Sequence, residues 1–214
     1  MGDGNISKSS DFSKHLFKKV KTDASHPINN GVHMQAHHLI SAKGVDLSGI
    51  GVLLVQKGYD INVIKNLVFI PSTLPGACHL GVQLHRGDHI HKDDEHPKSY
   101  HVEVKEQLVR LKEKISNCEG SANTTQKLVN SKSKELLSDI SDFNLSLTSI
   151  MKSFDLDSPI GCGNCVNVKE HEKDFSPCSS QRDHYQQKHP MYKSGKDMKE
   201  IILPKRAYKL RVGK

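Results

Sequence analysis

The chain has 214 residues, 35% of them hydrophobic and 5% aromatic, with no Trp, enough for one domain or a compact domain with a small appendage. A formal charge of +7 and a pI near 9.1 suit a polyanionic partner, because Lys and Arg beside phosphates release condensed counterions. No apolar run approaches the ~20 residues that cross a bilayer, and the N-terminal stretch MGDGNISKSSDFSKHLFKKVKTDAS holds no apolar segment of signal-peptide length. A soluble chain without a membrane partner is expected, and any export would use something other than an N-terminal signal.

Taken in chain order, residues 1–31 are rich in Ser, Lys, Asp and Asn with little periodicity, and read as a flexible N-terminal arm or linker. A core is expected over 32–118. Strand character is predicted around His37–Ile40. Asp46 is placed to cap a helix carrying Leu47, Ile50, Leu53, Leu54 and Val55, which Gly58 stops. The apolar run NLVFIP, closed by Pro71, predicts a strand. STLPGACHLGVQ reads as a loop, and residues 85–96 are almost wholly polar. Ser99 opens a predicted helix with Val102, Val104, Leu108, Val109, Leu111 and Ile115 at three- and four-residue spacing. Segment 119–154 is predicted as a helical packing segment, from Gln126 to about Phe154, and 155–214 as a separate basic tail containing Cys and His.

The 14 His are the unusual count, and most fall between His33 and His101. Histidine is the commonest metal ligand and the side chain that titrates near neutrality. Hydrolysis of a phosphodiester at neutral pH needs a base near pKa 7 for the attacking water and a cation against the phosphate oxygens. Neutral imidazoles can hold that cation while leaving positions open. His37 and His38 are adjacent on a predicted strand, so they point to opposite faces, one suited to a metal and the other to a water. His85 and His89 form H-x3-H, and on a helix two such side chains would share one face and could bind one ion. Asn66, directly before the NLVFIP strand, could hold a neighbouring backbone or imidazole in place.

The segments AHHLIS, GYDIN followed by NLVFIPST, LHRGDHI and HPKSYHVEVKEQL, in this order over roughly residues 33–112, resemble the AHH family of HNH (ββα-metal) nucleases. The resemblance implies that His37 binds metal, His38 is the general base, Asn66 orients it, and His85 and His89 complete the metal site. In the family the second ligand His runs straight into Pro and the Tyr helix, whereas HIHKDDE intervenes here. Either an insertion follows His89, or His96 is the ligand and the insertion precedes it; the intact H-x-G-x-H favours His89. His91, His96 and His101 are then surface or phosphate-side residues. Arg86, beside His85, is the candidate for pairing with a substrate phosphate. The family further implies a divalent cofactor (Mg²⁺ or Zn²⁺, with Ni²⁺ and Mn²⁺ as alternatives), a toxin module secreted within a larger effector to act in a target-cell cytoplasm, and a cognate immunity protein.

Five Cys, an odd number, argue against a disulfide framework. Cys162 and Cys165 form C-x2-C, with Cys178 and then His184 or His189 following. This is either a structural Zn²⁺ knuckle or a reduced tail with scattered thiols. The expected fold is α+β: a ββα-metal core embedded in helices, then a mainly helical C-terminal region that the Cys set would tie with zinc. The expected function is metal-dependent endonucleolytic hydrolysis of nucleic acid, DNA favoured over RNA. The alternative is a non-catalytic, zinc-tied nucleic-acid-binding module.

Overall fold

The computed structural model describes residues 4–147 apart from 86, 91, 93, 95, 96 and 118–121, together with 186–187, 199–203 and 208–214. Its centre is a two-stranded antiparallel sheet. Strand β1 (Met34–His38) pairs with β2 (Leu67–Pro71) in a register that sets Met34 opposite Pro71, His37 opposite Val68 and His38 opposite Leu67. The sheet is covered on both faces, which is why β2 is a continuous apolar run and not an alternating one. Val68 and Ile70 belong to the main core, while Leu67 and Phe69 join Ala36 in a second cluster with Phe12, Leu16 and Val20.

That second cluster is built by α1 (Phe12–Val20), whose buried residues recur every four positions. The segment expected as a loose arm thus carries a nine-residue helix packed on the sheet. Between the strands, one expected helix is two: α2 (Ala42–Ser48) and α3 (Gly51–Gln56). Ser41, not Asp46, caps the first, its Oγ accepting from the Gly44 amide at 3.1 Å. Gly49, at φ 68°, ends it. The predicted loop after β2 contains α4 (Leu74–Leu80), with Thr73 Oγ1 accepting from the Gly76 amide at 3.3 Å and Gly81 at φ 67° following it.

The other face of the sheet is covered by α5 (Tyr100–Ser116), which buries Tyr100, Val104, Leu108, Leu111 and Ile115 along one stripe. α2 lies so close to it that a Cβ on Gly44 would stand 2.3 Å from Val104 Cγ1. α6 (Ala122–Ser141) adds Val129, Leu136, Leu137 and Ile140 to the core. It ends well before Phe154, because Phe143 adopts φ 59° and the amides of Asn144 and Leu145 turn back to Asp139 O. A second pair of short strands, β3 (Gln186–Gln187) and β4 (Lys199–Glu200), is antiparallel. The C-terminal residues return to β2, with Phe69 N donating to Lys214 O at 2.8 Å and Gly213 N to Leu67 O at 2.6 Å.

Candidate active site

β1 ends at its two histidines, which lie on opposite faces of the sheet as their adjacency requires. His37 turns towards α5, its Nε2 lying 2.9 Å from the Tyr100 hydroxyl. Its Nδ1 lies 3.0 Å from His85 Nε2. His85 is fixed beside β2 because its amide donates to Pro71 O at 2.7 Å. His89 closes the group. One nitrogen from each of His37, His85 and His89 can be chosen so that all three lie within 4.8 Å of one another, an arrangement that could hold a metal ion.

His85 and His89 do not reach this point by sharing a helix face. Their segment is non-helical, with Gly87 at φ 76° and His89 itself at φ 60°. A non-glycine residue in the left-handed region is held there by its surroundings. Here His89 Nδ1 is hydrogen-bonded to Leu147 O, and the preceding Asp88 carbonyl is 3.0 Å from His101 Nε2.

The hydrogen bonds around the triad determine which ring nitrogens carry protons. A backbone carbonyl only accepts, so His89 Nδ1 donates to Leu147 O and its Nε2 is left with a lone pair. The Tyr100 hydroxyl has one proton and places it on backbone carbonyls, Leu39 O at 2.6 Å and His38 O at 3.1 Å. It therefore accepts from His37 Nε2–H, which leaves His37 Nδ1 unprotonated. His85 Nδ1 donates to Gln35 Oε1 at 3.1 Å, which leaves His85 Nε2 unprotonated. With Gln35 Oε1 as the acceptor for His85, the facing nitrogens of His37 and His85, 3.0 Å apart, are both lone-pair atoms. A cation is the group that such a donor set fits, with each outer nitrogen held as metal-binding imidazoles are.

Burial reinforces this. It pushes His37 well below the ordinary histidine range, with His85 and His89 adding to the effect, and takes His85 down to about 3. It also lowers His89. The rings are neutral at neutral pH, the form that binds metal.

On the other face, His38 packs on the Phe12 ring with centroids 4.3 Å apart. Its Nε2 lies 3.1 Å from Asn62 Oδ1. The Asn62 amide has a fixed orientation: Nδ2 donates to Ser7 O at 3.0 Å, and Oδ1 accepts from the Ser9 amide at 2.9 Å. His38 Nε2 is consequently the donor, and Nδ1 keeps the lone pair. Burial lowers the His38 pKa, and the bond to Asn62 partly restores it.

Asn66 is brought not to the His38 ring but to backbone. Fully buried, it accepts from Ile40 N at 2.6 Å and from Ser133 Oγ at 2.8 Å, and donates to Ile40 O and Ile61 O at 3.0 and 2.8 Å. Of the two contacts considered for it, backbone or imidazole, the structure shows the first. Asn62, which the sequence reading passed over, holds the imidazole; its only signal was its place in GYDIN. His101, expected at the surface or beside phosphate, is a clamp: its Nε2 donates to Asp88 O and its Nδ1 accepts from Ser41 Oγ at 3.0 Å. Arg86, His91, His96, Cys162, Cys165, Cys178, His184 and His189 lie outside the described residues.

A family model described as AHH, "a nuclease family of the HNH/ENDO VII superfamily with conserved AHH", matches residues 16–141. This chain belongs to the AHH nuclease family. Comparison with curated proteins and with solved structures gave no match. The matched stretch of this AHH nuclease contains β1, β2, α5, His37, His38, Asn62, Asn66, His85, His89 and Tyr100. No described helix is long and apolar enough to cross a membrane.

Proposed function

We propose that this AHH nuclease is a metal-dependent endonuclease in which His37, His85 and His89 hold one divalent ion and His38 is the general base. The observation that carries this reading is the set of lone pairs on one point: every outer nitrogen of the triad is committed to an acceptor, so the inner ones are free to coordinate. An all-imidazole donor set favours Zn²⁺ or Ni²⁺ over Mg²⁺, a hard ion that prefers oxygen. Bound there, such an ion would polarise the phosphate and stabilise charge on the leaving oxygen.

The protein's own groups supply the rest. His38 stands at the end of β1, neutral at neutral pH, with Nε2–H given to Asn62 and Nδ1 available to take a proton from the attacking water. Asn62 fixes that tautomer and is the orienting residue in this reading. Asn66 ties Ile40, just after β1, to Ile61 in the connection that leads into β2, and so holds the end of the strand that carries His37 and His38. DNA is our preferred substrate. A role as a secreted antibacterial toxin with an immunity partner follows from the family resemblance.

Supercoiled plasmid DNA incubated with the metal-free protein and added Zn²⁺, Ni²⁺, Mn²⁺ or Mg²⁺ should be nicked with at least one ion and protected by EDTA. Binding of DNA without cleavage under all four ions would leave only a nucleic-acid-binding module.

A further inference from the structure

The N-terminal segment ahead of the family match is built into the active site. Asn62, the amide that holds His38, also binds Ser7 O and Ser9 N, so it grips the backbone on both sides of Lys8. The Lys8 side chain then passes over the Phe12 ring, Nζ 4.9 Å from its centroid, and Phe12 is the ring packed on His38. Lys8 is exposed and makes no ion pair with a described residue.

Asn62 also lines a cavity of about 390 Å³, together with Val63 and Ile64 and with His15, Lys18 and Lys19 of α1. Positions three and four apart share a helix face, so these three α1 residues present one basic row. Both lysines are exposed, and neither is paired with an acid among the described residues. The buried residues of the same helix, Phe12, Leu16 and Val20, are what pack it against the sheet, so the exposed row is not needed for that packing.

We propose that Lys8, Lys18 and Lys19 form a phosphate-backbone subsite that carries a nucleic-acid strand from the α1 cavity to His38. Lys8 is the near end, engaging a phosphate beside the scissile one, and Lys18 and Lys19 engage phosphates further along. Ammonium groups on flexible stems suit this task, since they bind phosphate as point charges and read no base. The subsite rests on the nuclease reading for its substrate but is independent of the metal.

The test is binding of a fluorescein-labelled DNA duplex to the full chain in EDTA, followed by anisotropy as salt is raised. Each of Lys8→Ala, Lys18→Ala and Lys19→Ala should flatten the log–log salt slope by roughly 0.9, and the triple variant by roughly 2.7. As a control, Lys112→Ala with Lys114→Ala sits at least about 18 Å along α5 from Tyr100 and should leave the slope as it is. Unchanged thermal melts would confirm that the exposed lysine variants fold. Slopes that respond to the α5 pair and not to the α1 residues would overturn the subsite, as would a wild-type chain that fails to bind the duplex. The nuclease reading fails separately: binding through these lysines without cleavage under any added ion keeps the subsite and removes the enzyme. Cleavage with slopes unmoved by the three variants does the reverse.

Discussion

The Nδ1 of His37 and the Nε2 of His85 face each other at 3.0 Å, lone pair to lone pair in the tautomers that Tyr100 and Gln35 select from outside. Two lone pairs at that distance repel in the metal-free protein, and the burial of His37 denies the pair relief by protonation at neutral pH. Binding a cation removes the repulsion. The pairing therefore gives each outer hydrogen bond a measurable effect on metal affinity.

Tyr100→Phe removes the acceptor that fixes the His37 tautomer. Metal affinity measured by calorimetry should fall by roughly 10–100-fold, the usual effect of losing such a partner. Stability should fall by about 1–3 kcal/mol, because buried carbonyls lose their donor. An affinity equal to wild type would show that Tyr100 does not set the tautomer.

Replacing the base and replacing a ligand should have different signatures. His38→Ala should lower kcat by roughly 10²–10⁴ while metal affinity stays near wild type. His85→Ala should lose both. If His38→Ala weakens metal binding as much as His85→Ala does, the assigned roles of His37 and His38 are exchanged.

Gln83 joins the core to the metal site at a distance. Its Nε2 donates to Ile140 O and Leu145 O, both at 2.8 Å, and its Oε1 accepts from Leu147 N at 3.0 Å, so it fixes the segment whose carbonyl holds His89. Gln83→Ala should cost about 1–3 kcal/mol in urea unfolding and also weaken metal binding. A stability loss with undiminished metal affinity would mean that His89 is held by its own loop.

Acid should unfold the metal-free chain through its buried histidines. Burial lowers His26 from 6.5 to about 4 and His85 to about 3. Between those values and 6.5 the unfolded chain binds the protons first, so stability is full above about pH 6.5 and falls as the pH drops towards 4. The urea midpoint should decline from about pH 7.5 to about pH 5, and saturating metal should raise the midpoint across that window without moving the onset, because the folded rings are already neutral there and the unfolded chain sets the onset. A midpoint flat across that window would show that these rings are more accessible than their packing indicates.

Gly44→Ala tests the α2–α5 contact that positions Ser41 and His101. Its Cβ would meet Val104 Cγ1 at 2.3 Å, so helix or side chain must shift, at about 1–3 kcal/mol for overpacking. The thermal midpoint reads this directly.

The sequence by itself determined the elements whose signal is local. The NLVFIP run, the α5 stripe from Tyr100 to Ile115 and the adjacency of His37 and His38 depend on residues within a few positions of one another, and they specify two strands, a helix and a pair of rings on opposite faces. The order of the motifs was enough to indicate the nuclease family. Other features have their causes far along the chain. Asn62 rather than Asn66 reaches His38 because the loop between the strands folds Asn62 back across 24 positions. His89 meets His37 through a left-handed turn whose carbonyl partner, Leu147, lies 58 residues on, a geometry that H-x3-H spacing on a helix does not contain. Lys8 and α1 looked like a loose arm because their apolar residues are few, yet three of them suffice once Leu67 and Phe69 offer the far side of the sheet. Local periodicity decides which segments become strands and helices, but a tautomer or a loop's turn is set by whichever buried acceptor the packed chain brings to it, and only the tertiary structure supplies that acceptor.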